Sequence, residues 1–251
     1  MCSRHLSLRG NDMFGMIRRV AAKNRYDPGF AGIFLNPFYL ARKGLYLNIF
    51  KLSPRLKGKL LDVGCGERPY ESLFKGSKYV GLEYENTENR AAKKADCFYN
   101  GKKFPFKSAS FDSVLCNQVL EHVFWPDEFV SEIWEVLKPQ GVLLITVPFV
   151  WDEHEQPVDY ARYSSYGLVD LLKRNGFAII EQHKSVQGLP AIFQLLNAYI
   201  FKLVSWNPFL KYFAMIFVMS IITLLGVISG ILPKGRDLYL DNVILARKVS
   251  K

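Results

Sequence analysis

Cysteine is scarce in this sequence and follows no pattern. Cys2, Cys65, Cys97 and Cys116 are the only four, and their spacing fits neither a disulfide framework nor a structural zinc site. Histidine is equally rare, at four residues. No group of His, Asp and Glu at metal-ligand spacing is visible, so no metal is expected. Internal repeats and low-complexity tracts are absent. No apolar run before Met13 is long enough for a secretory signal, so a reducing, cytoplasmic setting is the expectation.

Acidic residues are nearly missing from one region. Residues 1–60 hold twelve Lys or Arg against Asp12 and Asp27, so the net charge of +10 resides there and the remainder is neutral. A basic stretch of this kind suits an anionic partner, either nucleic acid or acidic lipid. Its large apolar residues, as in Phe30 to Phe50, fit a lipid interface better than a DNA groove. The plainer reading is a helical lid packed on the domain. At 251 residues and 49% hydrophobic, the chain is neither disordered nor fibrous and accommodates one α/β domain with appendages, or at most two small domains.

From residue 60 onward, short apolar runs alternate with helix-like stretches, the pattern of a parallel sheet wrapped by helices. Strands are predicted at Lys59–Val63, Tyr79–Leu82, Cys97–Tyr99, Ser113–Cys116, Val142–Val147, Ala178–Glu181 and Tyr239–Ala246. Helices are predicted at Pro126–Lys138, with Phe129, Ile133 and Leu137 every fourth residue, and at Ser165–Asn175. Trp125, Trp134 and Trp151 read as packing residues.

The segment KLLDVGCGERPY (Lys59 to Tyr70) reads as a buried strand, a glycine turn and then a helix. Gly64 and Gly66 allow a sharp turn and a close backbone approach to a ligand. Glu83, at the end of the next strand and 17 residues after Gly66, is where a carboxylate meets both hydroxyls of a ribose. A dinucleotide fingerprint would need a third glycine at position 69, which is Pro69. Asp62 suits the cationic amino-acid end of S-adenosylmethionine, which has no pyrophosphate to hold, so that ligand is favoured over NAD.

LLDVGCG resembles the first motif of class I methyltransferases, VGLEY (Val80 to Tyr84) the second, and FPFKSASFDSVLCNQVLEHV (Phe104 to Val123) the stretch through the fourth strand in their small-molecule, type 11-like subgroup. The resemblance covers Gly58 to Gln182, with Tyr239 to Lys248 matching the last strand. It implies an S-adenosylmethionine-dependent enzyme of Rossmann-like α/β fold, with a seven-stranded sheet and helices on both faces. It also implies Asp62, Gly64, Cys65 and Gly66 around the methionine end, Glu83 on the ribose and Tyr84 against the adenine. Asn117 and Gln118 would line the methionyl portion. Where the family commonly has Asp, this chain has Asn100, whose amide oxygen still suits the adenine amino group.

Acceptor residues are expected beyond the fourth and fifth strands, at Glu121 and His122 and in Pro148 to Leu168. The H-E-x-P-x-D-Y-x-R-Y pattern of that second run resembles methyltransferase-like proteins of polysaccharide and glycolipid assembly. His154 suits a general base, with Asp159 to orient it. The competing reading pairs Asp159 with Arg162 as a loop brace and leaves His154 without a chemical role. The expected reaction is methylation of a small or lipid-linked acceptor, at a sugar or glycolipid hydroxyl. The alternatives are an apolar quinone-type acceptor and a non-catalytic, membrane-associated cofactor-binding protein. Nucleic-acid methylation ranks last, because Asn117-Gln118-Val119-Leu120 is unlike an Asn-Pro-Pro-Tyr base-holding segment.

The expected organisation is a basic N-terminal arm or lid at 1–57, a methyltransferase core at 58–188, an apolar helical insertion at 189–236, and the last strand with its tail at 237–251. Tyr212 to Leu232 carries no charge and would reach about 31 Å as a helix, enough to span a bilayer. A single crossing, however, would strand the last β-strand on the wrong side. A hairpin turning at Asn207-Pro208, or helices lying in the interface, reconciles the two. Lys202 and Lys211 near the turn favour the interfacial arrangement, and soluble helices packed on each other or across a dimer are the remaining reading.

Overall fold

The computed structural model describes residues 24–86, 90–91, 94–233 and 235–249. Seven strands form one sheet: β1 (Lys59–Val63), β2 (Lys78–Tyr84), β3 (Cys97–Tyr99), β4 (Phe111–Asn117), β5 (Leu137–Pro148), β6 (Phe177–Gln187) and β7 (Tyr239–Lys248). Their order is β3-β2-β1-β4-β5-β7-β6. The first five run parallel, and β7 inserts antiparallel between β5 and β6. The Rossmann-like α/β architecture expected from the alternating pattern is thus present. All seven predicted strands occur, most of them longer than their apolar runs.

The order of the sheet positions the site. Strand order reverses between β1 and β4, and the crevice at such a switch point, beyond the carboxyl ends, is where ligands bind in this architecture. β1 and β4 are buried because their apolar side chains point to both faces, Leu61 and Val63 to one core cluster and Leu60 to the other.

Helix α1 (Tyr39–Leu52) packs its Leu45, Ile49 and Leu52 onto the sheet, where Ile49 and Leu52 join the cluster of Leu60, Leu115 and Val243. This part of the N-terminal region therefore forms a cover on the core, while residues 1–23, with much of the basic charge, lie outside the described residues. Helix α2 (Pro126–Val136) starts at its proline as expected and ends two residues earlier than predicted. Pro139 disfavours the helical region at Lys138, and the chain turns extended at Leu137 to begin β5. Helix α3 (Ser165–Arg174) is capped by Ser164 Oγ, which accepts from the Gly167 N–H at 3.1 Å.

The glycine turn after β1 is not followed by the predicted helix. Arg68 sits at φ +55° immediately before Pro69, and only a short 3-10 turn at Glu71–Phe74 follows. A left-handed residue ahead of proline cannot open an α-helix.

The insertion is a helical hairpin. Helix α4 (Leu189–Val204) turns at Asn207-Pro208 into α5 (Pro208–Ala214), which continues through a π-turn at Met215–Met219 into α6 (Ser220–Ser229). Asn197 Nδ2 donates to Thr223 Oγ1 at 2.9 Å and to the Met219 carbonyl at 3.3 Å across the pair. At its base the Gly188 N–H donates to the Leu238 carbonyl at 2.8 Å, which returns the chain to β7 on the side it left. Gln194 Oε1 accepts from the Leu40 and Ala41 N–H groups at 3.0 and 3.2 Å, fastening the hairpin to α1.

Candidate active site

The carboxyl end of β1 delivers Asp62 and the turn Gly64-Cys65-Gly66. Gly64 lies at φ +69°, and a Cβ there would stand 2.4 Å from Val119 Cγ2, so the turn tolerates no side chain. Gly66, at φ +47°, faces open space where its own Cβ would be. The Gly66 N–H donates to Glu83 Oε2 at 2.7 Å and the Tyr84 N–H to Glu83 Oε1 at 2.9 Å, so the carboxylate at the end of β2 is held against the turn. Tyr84 lies half-exposed, edge-on to Tyr99 at 6.2 Å between ring centroids. Asn100, exposed after β3, accepts from the Lys102 N–H at 3.2 Å. Cys65 is buried, and its thiol is pushed up to about 12 by that burial.

After β4, Asn117 Oδ1 accepts from Thr146 Oγ1 at 2.8 Å, and Gln118 Nε2 donates to the same hydroxyl at 3.2 Å. These residues, Asp62 and the glycine turn line a cavity of about 460 Å³. His122, Trp151, Asp152 and His154 line it too. Phe38, Arg42 and Leu45 from the N-terminal cover and Ala198, Phe201 and Lys202 from α4 also line it. Asp62, Gly64, Cys65, Gly66, Asn117 and Gln118 thus share one space with His122 and His154, whereas Glu83, Tyr84, Asn100, Glu121 and Asp159 do not line it. A wider opening of about 1190 Å³ near Tyr166, Lys184 and Arg236 lacks all of these residues.

His154 lies within 3.3 Å, Nδ1 to Oδ2, of Asp159, whose Oδ2 also accepts the His154 N–H at 2.9 Å. Arg162 grips the same carboxylate with both terminal nitrogens, at 2.6 and 2.7 Å. The hydrogen bonds from Arg162 hold the Asp159 carboxyl well below the usual carboxylate range. The loop brace and the orientation of His154 are thus one arrangement, not alternatives. Trp151 packs on Phe38 at the cavity wall and Trp134 bonds to the Gly176 carbonyl at 3.1 Å. Trp125 corrects the packing expectation: it is largely exposed, because it precedes α2 at a surface corner.

Two cavity features escaped the sequence reading. The first is Asp241, a buried carboxyl in β7 whose only sequence signal is a charge inside an apolar strand. The second corrects the expectation that no metal-ligand grouping exists. The neighbours Glu121 and His122 and the sequence-distant His154 each bring one ligand atom within 4.8 Å of the others.

Burial pushes the Asp62 carboxyl up to about 7, against a hydrogen bond from the Tyr79 hydroxyl that lowers it. Each such carboxyl binds its proton more tightly folded than unfolded. Its contribution to stability is therefore complete below about pH 4, declines as the pH rises, and is lost above about pH 7. Asp62→Asn should remove its part of that slope, at most about 4 kcal/mol between the two limits. Chemical denaturation of both proteins at pH 4, 5.5 and 7.5 measures it, and parallel pH profiles would contradict the assignment.

Residues 61–145 match a family model described as a methyltransferase domain. A Mycolicibacterium smegmatis protein named as a probable S-adenosylmethionine-dependent methyltransferase is 32% identical over 106 residues, covering 39% of this chain and 41% of that protein. An uncharacterized Methanocaldococcus jannaschii protein is 29% identical over 164 residues, 63% of this chain and 72% of its own length. Among solved structures, Haemonchus contortus phosphoethanolamine N-methyltransferase 2 in complex with S-adenosyl-L-methionine shares the fold, with a TM-score of 0.53 at 19% identity, over 90% of this chain and 59% of that one. The cyclase SpnF shares it as well, with a TM-score of 0.52 at 19% identity, over 85% and 83%. The match thus spans less than half the length of the Mycolicibacterium relative. Over residues 61–145 the chain is thus similar to methyltransferase domains, and its sheet has the fold of the solved structures.

Proposed function

We propose that this chain transfers a methyl group from S-adenosylmethionine to a hydroxyl of a small or lipid-linked acceptor, a sugar or glycolipid, at a membrane surface. One observation carries the reading: Asp62, the glycine turn, Asn117 and Gln118 border the same 460 Å³ cavity as His154. In the reaction the acceptor oxygen attacks the methyl carbon, the carbon–sulfur bond breaks with its electron pair going to sulfur, and adenosylhomocysteine leaves. His154, oriented by Asp159, takes the hydroxyl proton. Asp62 meets the ammonium of the methionine end and Glu83 the ribose. Tyr84 and Asn100 serve the adenine, while Cys65, Asn117 and Gln118 flank the methionyl chain. The polar lining, with Asp62, Asp152, His122 and Asp241, favours a hydroxylated acceptor over a quinone.

In this reading residues 58–188 and 237–251 form the catalytic unit, and 189–236 with the N-terminal cover face lipid. The helix Pro208–Ser229 is apolar enough to cross a membrane, at a mean hydropathy of 2.3. Its packing supports an interfacial position instead: Lys202, near the hairpin turn, pairs with Asp152 at 2.6 Å and donates to the Glu153 carbonyl at 2.9 Å. The turn is tied to the acceptor loop, which a bilayer between them would forbid.

Glu83→Ala should weaken adenosylmethionine binding by roughly 1.5–3 kcal/mol, since a charged acceptor of two ribose hydroxyls is removed. Calorimetry tests this, and an unchanged affinity would overturn the ribose role. The acceptor is tested by mass spectrometry of membrane lipids incubated with the protein and the cofactor. A glycolipid heavier by one methylene, with adenosylhomocysteine released, is expected. Release without any hydroxyl-methylated product would point to another acceptor, and no release at all would leave a cofactor-binding protein without catalysis.

A further inference from the structure

We propose that Glu121, His122 and His154 form a divalent-cation site in the acceptor cavity. The inference rests on the reading of that cavity as the acceptor site. It concerns what lowers the pKa of the acceptor hydroxyl.

The two imidazole rings are oriented by the groups around their Nδ1 atoms. His122 Nδ1 lies 2.7 Å from the Val158 carbonyl oxygen, which can only accept, so the proton is assigned to Nδ1 and the lone pair to Nε2. His154 Nδ1 faces the Asp152 carbonyl at 3.2 Å and the Asp159 carboxylate at 3.3 Å, with the Arg162 guanidinium slightly farther at 3.4 Å; with its proton shared toward the two nearer acceptors, Nε2 is left with the lone pair. Two imidazoles whose far nitrogens donate to a carbonyl and a carboxylate are oriented as metal-bound histidines are. The rings stand edge to face, 4.9 Å apart between centroids.

Glu121 supplies the third donor. Its side chain is fully buried, and neither carboxyl oxygen has a hydrogen-bond partner among the described residues. Oε1 lies 3.9 Å from His122 Nε2, and Glu155 Oε2 lies 3.7 Å from the same nitrogen on the more open side. A lone pair facing two carboxylates calls for a positive charge between them. A cation satisfies all of these acceptors together, and a buried, unpartnered carboxylate would otherwise carry its full desolvation cost.

Two imidazoles and one carboxylate suit a borderline cation such as Zn²⁺, Mn²⁺ or Fe²⁺ and leave coordination positions open. His122 and His154 line the cavity, so an acceptor hydroxyl can take one of those positions. A cation held there would lower the pKa of that hydroxyl, so that its proton could pass to water as the oxygen attacks the sulfonium methyl group. His154 then acts as a ligand, and the cation does the work otherwise assigned to its imidazole.

The test is equilibrium dialysis of the full chain, stripped with chelator, against Zn²⁺ and separately Mn²⁺, with Glu121→Gln and His122→Ala as variants. One equivalent retained by the parent and lost by both variants is expected, each variant keeping its adenosylmethionine affinity as proof of folding. A d–d spectrum of the Co²⁺-loaded parent should show nitrogen and oxygen ligation that is absent from Glu121→Gln. No retained equivalent in a parent that still binds adenosylmethionine would overturn the cation site while leaving the acceptor reading intact, as would retention undiminished in both variants. Loss of adenosylmethionine binding by the parent itself would strike the underlying reading instead.

Discussion

Replacing His154 by alanine is expected to lower turnover by roughly 10²- to 10⁴-fold while leaving adenosylmethionine affinity nearly unchanged. In the proposed reading the imidazole serves the acceptor, whereas the glycine turn, against which Glu83 is held, serves the cofactor. Truncation therefore removes an interaction with the reacting hydroxyl and none with the nucleoside. Stability should change little, because the ring is partly exposed and Asp159 keeps both bonds to Arg162. Asp159→Asn separates orientation from loop bracing. It should reduce the rate less, yet lower Tm more, since Arg162 loses its charged partner. Full activity in His154→Ala would return that residue to a purely structural role.

Much of this site was legible because it is local. β1, its glycine turn and Glu83 fall in one stretch whose apolar run, paired glycines and carboxylate spacing mirror the geometry they adopt. β7 was readable as the closing strand from its apolar run alone, although its antiparallel insertion between β5 and β6 is set by the path of the chain across the sheet. What the pattern could not reveal depends on distant segments meeting. Glu121-His122 joins His154 only because the loop after β5 folds back over the loop after β4, with the Tyr160 N–H donating to the Glu121 carbonyl at 2.8 Å. The cavity cover draws on residues 38–45 and 198–205, which the sequence left as an arm or lid and as an insertion, with no sign that the two meet over one cavity. The missing helix after Gly66 turned on Arg68 taking a left-handed conformation ahead of Pro69, a detail that apolar periodicity does not encode.

Substituting Phe213, Phe217, Ile221 and Ile228 together by serine is expected to release the protein from lipid vesicles. Along Pro208–Ser229 the residues turned inward are Ala214, Met215, Met219, Ser220, Thr223, Gly226 and Ser229, small or polar apart from the two methionines, while the four named residues point outward. A helix stabilised by water would do the reverse. α4 repeats the inversion, burying Ala191, Gln194, Asn197 and Ala198 and exposing Ile192, Leu196 and Tyr199. Small residues at the helix contact with apolar residues outside is how helices pack in lipid. Trp206, 76% exposed, and Phe209, 80% exposed, flank the turn, where aromatic side chains meet a membrane interface. Each of the four side chains is about half exposed, so its transfer into lipid contributes about 1 kcal/mol, and losing all four should weaken partitioning by roughly 10³-fold. Flotation with vesicles of phosphatidylcholine and an acidic lipid measures this. The parent should float even in high salt, because the apolar face and not charge holds it. The quadruple variant should stay at the bottom while still binding adenosylmethionine. Flotation unchanged by the substitutions, or a parent that sediments as a detergent-free dimer with this face covered, would reassign the surface to a second copy of the chain.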